Sequence, residues 1–554
     1  MPVSKSKRKK SPPKPSPVAL TGNKNLVQSG QGNFANSPQA NVYVGGDPGV
    51  ASSVQKIFEE FISPRVKKLT TAIENLEPLA LTYEDAFLKA GLAKDTHRMI
   101  EIANEYHKKT GGTVAVPDYE SKQKQPAKNL TLLEKAKNGE AQAQYLLACR
   151  YDRGLFVNKD KEKAIFWYQK AAELNHPKAQ LNLGVIYNIG KDIVQDFVEA
   201  AKWFRKAADQ GLAEAQNNLG VCYQNGEGVT QDYAEAIKWF RKAAEQGNSG
   251  AQCNLGICYR NGWGVVKNDA LAVKWFRKAA EQGLDEAQNN LGVRYHNGEG
   301  VTQDYAEAVN WYRKAAEQGN SGAQYNLGNC YRNGLGVKKD EAEAVNWFRK
   351  AAEQGQADAQ NNLGSCYSNG HGVPQDYAEA IKWYRKAAEQ GCAIAQTNLG
   401  HCLRNGEGVT QDYVEAVNWF RKASEQGDPD AQAGLGLHYF RGLGVPKNDS
   451  LAYDWTKKAA DQIHPFAINN LGYMTLHGAN GKPDRRAAFD LFTRAAELEN
   501  DFAFGNLAPF YYSGEFVERD IEKARTYLRR AAKAGYDEAI AHLKSWFNEE
   551  PPTD

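Results

Sequence analysis

The sequence predicts an all-α protein, a solenoid of 36-residue helix-turn-helix repeats. A tryptophan returns every 36 residues from Trp167 to Trp455, and an alanine opens each unit at the same interval. Within each unit, apolar residues recur at helical spacing. A strict period of this length is typical of repeats that bury their apolar faces only against their neighbours. The opening alanines are Ala143, Ala179, Ala215, Ala251, Ala287, Ala323, Ala359, Ala395, Ala431, Ala467, Ala503 and Ala539.

Each repeat has the pattern of two helices joined by a glycine-containing loop. Positions are counted from the opening alanine, and residues 215–250 serve as the example. Positions 1–11 predict a first helix that ends at Gly226. Asp232, three residues before Glu235, predicts the N-cap of a second helix. On that helix, Trp239 is predicted to fill the gap between repeats. The same N-cap position holds Asp160, Asp196, Asp304, Asp340, Asp376, Asp412, Asp484 and Asp520, with Asn268 and Asn448 as equivalents.

The repeats define the predicted domain boundaries. Repeats at 215–250 and 287–322 are nearly identical, whereas the last two full repeats drift, as expected of terminal repeats. The predicted segments are a disordered basic tail and linker (1–52), a helical N-terminal region of unknown family (53–112), a linker (113–128), an N-terminal capping helix (129–142), eleven repeats (143–538) and a C-terminal capping helix (539–550).

The region before the repeats differs in character from the rest of the chain. Residues 1–18 are rich in Lys, Arg and Pro and contain no acidic residue, which predicts a disordered tail. Its KRKK stretch suits a nuclear import signal, an anchor on nucleic acid or acidic membrane, or a solubilising tail. Residues 53–112 carry amphipathic helical periodicity. They suit a small bundle, an oligomerisation element, or an irregular extension of the solenoid.

The repeat resembles the Sel1-like repeat, a relative of the tetratricopeptide repeat with a longer interhelical loop. The pattern A-x-x-x-L-G-x-x-Y-x-x-G-x-G-V-x-x-D-x-x-x-A-x-x-W-x-x-x-A-A-x-x-G is matched almost in full by residues 215–247, 287–319 and 359–391. The resemblance implies a right-handed α/α superhelix whose first helices line the inner surface. It also implies a scaffold or adaptor, since the family includes adaptors in signalling, protein quality control and bacterial host interaction.

Composition favours a mixed, soluble surface in a reducing compartment. The net charge is +3, and no apolar run reaches the roughly 20 residues that span a bilayer. Five of the eight cysteines share one repeat position, and equivalent positions lie about 9–10 Å apart. That distance exceeds the roughly 7 Å Cα limit for a disulfide, so free thiols are expected. We therefore predict a cytoplasmic protein, or a nuclear one in a eukaryote.

The variable positions of the first helix indicate a binding surface. Positions 3, 7 and 10 vary most between repeats, and their spacing places them on one helical stripe. This stripe is expected on the concave side, which solenoids use for extended ligands. Its basic residues favour an acidic or phosphorylated peptide; a solvated polar face without a ligand is the alternative. The basic residues are Arg260, His296, Arg332 and Arg404, with Arg294 nearby.

A recurrent asparagine at position 4 has two candidate roles. It can hold the backbone of a bound peptide, or it can bridge adjacent repeats by amide hydrogen bonds. Its presence in successive repeats favours the structural role. The predicted partner-binding asparagines are Asn218, Asn254, Asn290, Asn326 and Asn362.

The sequence offers no catalytic, metal or cofactor site. Phosphate-loop, nucleophile-elbow and zinc-protease motifs are absent from it. A nucleophile built from Cys402 with His401 or His438 has no specified orienting group. We therefore expect a non-enzymatic protein without a cofactor.

Two functions compete on these grounds. The first is a protein–protein interaction scaffold that binds a protein or extended peptide on the concave face. The second is a nucleic-acid- or membrane-associated regulator that uses the basic tail at 1–18 and depends steeply on salt. An oligomer formed through residues 53–112 is compatible with either.

Overall fold

The computed structural model describes residues 132–155, 157–479 and 481–550. The segments predicted at 1–52, 53–112 and 113–128, and the start of the capping helix at 129–131, lie outside the described residues. The chain divides between Gln282 and Gly283 into two compact units. Throughout the described part of the chain the regular structure is helical, which confirms the predicted all-α repeat fold.

Unit 1 holds a single helix followed by four helix pairs in its described residues. These are α1 (Leu132–Lys137), α2 (Ala141–Arg153), α3 (Lys161–Glu173), α4 (Pro177–Ile189), α5 (Phe197–Asp209), α6 (Ala213–Asn225), α7 (Tyr233–Glu245), α8 (Ser249–Asn261) and α9 (Asp269–Glu281).

Unit 2 holds seven helix pairs and a closing helix in the part that the structure describes. The pairs are α10 (Asp285–Asn297), α11 (Tyr305–Glu317), α12 (Ser321–Asn333), α13 (Glu341–Glu353), α14 (Ala357–Asn369), α15 (Tyr377–Glu389), α16 (Ala393–Asn405), α17 (Tyr413–Glu425), α18 (Pro429–Arg441), α19 (Asp449–Asp461), α20 (Pro465–Leu476), α21 (Arg485–Glu497), α22 (Asp501–Ser513) and α23 (Ile521–Lys533), and the closing helix is α24 (Asp537–Phe547).

The helices begin and end at the capping residues that the sequence predicts. The Asp232 carboxylate accepts hydrogen bonds from the backbone N–H groups of Ala234 and Glu235, at 2.9 and 3.0 Å, and so caps α7. Asn268 caps α9 in the same way, accepting from Leu271 N–H. Gly226 ends α6 at φ 76°, a left-handed conformation that suits glycine. The predicted caps are therefore confirmed.

The second loop glycine is required by the approach of two repeats. Gly228 has φ 70°, and a Cβ atom there would lie 1.8 Å from the carbonyl oxygen of Phe197. The loop of one repeat therefore rests directly on the start of the preceding second helix. A side chain at this position would push the two repeats apart.

The tryptophans lie in the core between repeats, as predicted. Trp239 is 6% exposed and packs with Phe204 and Leu219, in one cluster that spans two successive repeats. A lysine one turn later covers the ring from outside: Lys242 Nζ lies 4.0 Å from its centroid. The ring therefore joins neighbouring repeats while its lysine faces solvent.

A buried glutamine pair connects each repeat to the one before it. The side-chain amide of Gln216, at position 2, donates to the carbonyl of Ala208 on the preceding second helix at 3.2 Å. Its oxygen accepts from the amide of Gln246, at position 32, at 2.8 Å. The equivalent position-32 to position-2 bonds measure 2.7–2.9 Å in both units. One amide therefore holds three helices.

The first repeat has only one glutamine of this pair, which allows the contribution of the pair to stability to be tested. Position 32 there is Leu174, and the buried Oε1 atom of Gln144 has no hydrogen-bond partner among the described residues. We expect Leu174→Gln to raise the free energy of unfolding by about 0.5–1.5 kcal/mol, because it supplies the missing donor. Chemical denaturation and hydrogen exchange of the α2 amides would measure this gain.

Ala534→Gln is the matched control for that substitution. It places the same side chain at position 32 of the last full repeat, where position 2 is Phe504 and offers no acceptor. An equal gain from both substitutions would contradict the pairing.

The glycine at position 6 generates a second prediction. A Cβ atom at Gly220 would lie 2.6 Å from the ring of Phe240, which is fully buried. We expect Gly220→Ala to cost about 1–3 kcal/mol of stability, because the packed ring has no space to move into. The shift in the denaturation midpoint measures this cost.

Gly250→Ala serves as its control, since a Cβ atom there would lie 3.4 Å from Asn248 Oδ1, an ordinary contact. Its effect is expected to stay within about 0.5 kcal/mol. Equal losses from the two variants would show that close packing against Phe240 is not the cause.

Candidate functional site

In each of the two units, the first helices present a polar, partly exposed surface, here called the first-helix face. It consists of repeat positions 4, 7, 10 and 11. On α12, Leu327 is fully buried, whereas Asn326, Asn329 and Arg332 are half-buried and Asn333 is exposed. The face is therefore accessible while the apolar side of the same helix packs into the core.

Position 3 of the predicted variable stripe is only partly accessible. Asn217, Cys253, Asn361 and Thr397 are buried at this position, whereas Tyr145, Leu181, Asn289 and Tyr325 are half-buried. Asn217 lies against the next first helix, where it accepts a hydrogen bond from Asn254. Part of the variation at position 3 therefore follows packing between repeats.

Most of the predicted partner-binding asparagines form hydrogen bonds between repeats. The amide of Asn254 donates to Asn217 Oδ1 at 2.9 Å, and that of Asn326 donates to Asn289 Oδ1 at 3.0 Å. The amide of Asn362 donates to Asn329 Oδ1 at 3.3 Å. Asn290 is buried, with 7% of its surface exposed.

Asn218 stands apart from the other asparagines. The preceding repeat carries Leu181 at position 3, which offers no acceptor. Among the described residues, the half-buried Asn218 side chain has no hydrogen-bond partner. Its amide is therefore available to a ligand in unit 1.

The predicted basic residues lie on the first-helix face and are held there by their own repeats. Arg260 and Arg404 each donate from Nε to the asparagine that follows in sequence, at 3.1 Å. The guanidinium of Arg332 lies over the ring of Phe348, 5.5 Å from its centroid. Arg332 and Arg404 lie in unit 2, and Arg260 lies in unit 1.

His296 is placed differently from these arginines. Its ring contacts Tyr305 edge-on at 5.1 Å, and its Nδ1 atom is buried without a hydrogen-bond partner in the described part of the chain. Burial lowers the pKa of His296, so the imidazole is neutral near pH 7. It therefore adds no positive charge to the face at that pH.

Arg294 is not available to a ligand. It is 6% exposed and forms an ion pair with Glu299 in the loop that follows α10. A buried charge paired in this way has a structural role, since loss of its partner would leave it uncompensated.

The thiol considered as a nucleophile is poorly suited to that role. Burial raises the pKa of Cys402 to about 11, and burial together with the charge of Arg404 lowers the pKa of His401 to about 4. A reactive cysteine needs the opposite shift of the thiol pKa. Among the described residues, no cluster of His, Cys, Asp and Glu is arranged to hold a metal ion.

One residue of the face, Arg441, was missed in the sequence, and His438, considered there only as a partner of Cys402, is buried on the same helix. His438 and Arg441 on α18 occupy positions 8 and 11, which hold Cys and Asn in most central repeats. His438 is fully buried, whereas Arg441 is exposed. The signal for both was their departure from the repeat pattern at positions that had been treated as structural.

Paired helices in tandem 36-residue units, with an accessible face on the first helices, define an α/α helical-repeat protein. The chain belongs to the Sel1 repeat family. Proteins of this family generally act as protein-interaction scaffolds and are typically non-catalytic. The family model matches residues 141–176, 177–212, 213–248, 249–284, 285–320, 321–356, 357–392, 393–428, 429–464, 465–500 and 506–536.

The chain is also similar to solved structures. The chain is 38% identical to c5321, described as a protective antigen present in uropathogenic Escherichia coli strains and displaying an SLR fold, with a TM-score of 0.62. That match covers 75% of this chain and 91% of the other. A Sel1 repeat protein from Oxalobacter formigenes is 35% identical, covering 55% of this chain and 88% of the other, with a TM-score of 0.43. No curated protein matches the chain.

Because only some of the position-4 asparagines bridge adjacent repeats, replacing them with alanine is predicted to have unequal effects on stability. Asn254→Ala should lower the free energy of unfolding by about 1–3 kcal/mol, because it leaves the side-chain oxygen of the buried Asn217 without its donor. Asn218→Ala, its control opposite Leu181, should stay within about 0.5 kcal/mol. Denaturation midpoints of the two variants measure the difference, and similar losses would argue against the bridge.

Proposed function

We propose that this protein is an interaction scaffold that binds an extended protein segment on its first-helix face, which we expect to be the concave side. The observation that carries the proposal is the asymmetry between the two helices of a repeat. The first helices keep accessible, varied side chains, such as Asn218 and Arg404, over a rigid and repetitive core. Rigid elements with varied surface residues suit recognition of a long ligand.

The second helices do not offer a comparable surface. Their tryptophans are mostly buried, and each one from Trp203 to Trp455 is covered by the lysine three residues later. Lys350 Nζ lies 3.8 Å from the centroid of the Trp347 ring, and Lys422 Nζ lies 4.1 Å from that of Trp419. This repeated arrangement serves the packing of the repeats and varies little between them.

The charge of the face favours an acidic or phosphorylated partner. Arg332 and Arg404 are half-buried on first helices of unit 2, and Arg260 is placed equivalently in unit 1. Partly desolvated guanidinium groups form strong, directional hydrogen bonds with carboxylates and phosphates. These three residues are therefore the proposed contacts, and Asn218 supplies a free amide.

We also infer a non-enzymatic protein in a reducing compartment, the cytoplasm. All eight cysteines are free, and burial raises the pKa of Cys222, Cys258 and Cys330 to about 12. Thiols of this kind are structural and unreactive. The nucleic-acid or membrane function assigned to residues 1–18 stays a prediction, since that tail lies outside the described residues. In the described part of the chain, no helix is long and apolar enough to cross a bilayer.

Charge reversal on the face tests the proposal. We expect Arg332→Glu combined with Arg404→Glu to reduce capture of the partner by the full chain at least tenfold, because it replaces attraction for acidic groups with repulsion. Quantitative mass spectrometry after affinity capture from native lysate, with nuclease present, measures the change.

The matched control reverses the same number of charges on second helices, with Lys350→Glu and Lys422→Glu. Capture should stay within twofold of the unmodified chain. Equal loss in both double variants would refute the assignment of the face. Complete loss of capture on nuclease treatment alone would favour the nucleic-acid function instead.

A further inference from the structure

Two successive first helices of unit 2 form a distinctive cluster around one buried ring. His401 on α16 and His438 on α18 lie with their rings 5.1 and 5.4 Å from the centroid of Phe420. Phe420 itself is fully buried. The two histidines therefore fix the distance between the faces of their helices at this point.

An arginine follows each histidine by three residues, on the same side of its helix. These are Arg404, which is half-buried, and Arg441, which is exposed. The bond from Asn398 to Asn361 joins position 4 of one first helix to position 3 of the preceding one, 37 residues earlier. Arg404 and Arg441 stand at positions 10 and 11, also 37 residues apart and about two turns further along, so they lie on facing parts of adjacent helices. Two arginines on adjacent helices thus share one small area of the face.

Neither arginine is neutralised by an ion pair within the described residues. Two acids belong to the same region. Asp430 accepts a hydrogen bond from His464 at 2.7 Å, and Glu407, which attracts Arg404, accepts from the amide of Asn405 at 2.9 Å. Since neither acid forms an ion pair with these arginines in the described part of the chain, both guanidinium groups keep N–H donors for a ligand.

Gly434 belongs to the same cluster. It stands at position 4 of α18, where most preceding repeats carry asparagine, and it is itself buried. The bond between Asn362 and Asn329 shows that position 4 lies beside position 7 of the preceding repeat, which here is His401. A Cβ atom at Gly434 would lie 3.3 Å from the Phe420 ring, so the glycine lets α18 pack closely on that ring.

We propose that Arg404 and Arg441 form a phosphate-binding site for a phosphorylated side chain of the bound protein segment. This inference rests on the proposed scaffold function and adds a specific ligand chemistry to it. A phosphoserine or phosphothreonine brings nearly two negative charges and three acceptor oxygens. Two guanidinium groups on adjacent helices can bond these oxygens together, each through two N–H donors.

A carboxylate matches the cluster less well. It carries one charge and two oxygens, which one guanidinium satisfies in a bidentate pair. The second arginine would remain uncompensated beside it. The geometry thus distinguishes this place from the single arginine on α12, Arg332, whose successor at position 11 of the next repeat is Asn369.

Oriented peptide pools presented to the immobilised full chain test the site. Three pools of random sequence would carry a central phosphoserine, serine or glutamate. We expect the phosphoserine pool to be retained at least ten times more than the serine pool. Arg404→Ala and Arg441→Ala should each lower that retention at least tenfold, and inorganic phosphate should displace the bound peptides.

Lys350→Ala is the matched control, because it removes a positive charge from a second helix of the same unit, outside the first-helix face; it should change retention less than twofold. Since Arg441 is exposed, its variant should fold, and circular dichroism would verify this. Equal retention of the glutamate and phosphoserine pools would overturn the phosphate site. So would an equal loss in Lys350→Ala, or retention of the phosphoserine pool no better than that of serine.

These outcomes separate the two proposals. If the phosphoserine preference is absent but the lysate partner is still lost on charge reversal at Arg332 and Arg404, only the phosphate site fails. If charge reversal has no effect on capture, the scaffold assignment to this face fails with it.

Discussion

A buried glutamine amide sets how one repeat follows another. Gln216 bonds the carbonyl of Ala208 behind it and accepts from Gln246 beside it. Because the amide lies in the interior, an unmade bond there would cost its full desolvation energy. The end of one second helix, the next first helix and its partner are thereby held in one geometry. Apolar packing alone, through alanines and a glycine, would permit the helices to slide.

The glutamine pair also explains where the repeat pattern changes. In the last two full repeats both members disappear together: Ile468 with Leu498, and Phe504 with Ala534. A polar group without its partner is worse than an apolar pair, which favours the loss of both glutamines in these repeats, whereas the first repeat keeps Gln144 beside Leu174. Aromatic packing takes over there, as where Phe504 meets Tyr527 edge-on at 4.9 Å. The terminal repeats are therefore stabilised by different contacts.

The fold was predictable from the sequence because its determinants are local and repeated. Asp232 caps a helix through atoms two and three residues away, and Trp239 occupies a position whose neighbours recur in every unit. Features of this kind appear as periodicity in a single chain. The glutamine pair was visible in the same way, as two positions that are lost together, yet it was not recognised.

The face was only partly predictable, because variation between repeats has two sources. Position 3 varies partly for packing reasons: its partner is a side chain 37 residues later, as in the bond from Asn254 to Asn217. Spacing on one helix cannot separate this from exposure to a ligand, since both give a variable stripe. The available amide of Asn218 depends likewise on Leu181 in another repeat. Assigning either role requires knowing which helices are neighbours.

The same reasoning gives departures from the repeat pattern a physical meaning. At positions 8 and 11, most central repeats carry Cys and Asn, whereas this repeat carries the buried imidazole of His438 and the charge of Arg441. Gly434 in the same repeat has no side chain. Gly434 and Arg441 add nothing evident to stability, and although His438 Nδ1 donates to the Leu443 carbonyl at 2.8 Å, its buried Nε2 atom has no hydrogen-bond partner among the described residues. Burial lowers the pKa of His438, so that ring stays neutral and does not add to the repulsion between Arg404 and Arg441. Local features that oppose stability and lie together are typical of functional sites, because binding of an opposite charge offsets their cost. A repetitive protein makes such places visible, since every other repeat shows what the fold alone requires.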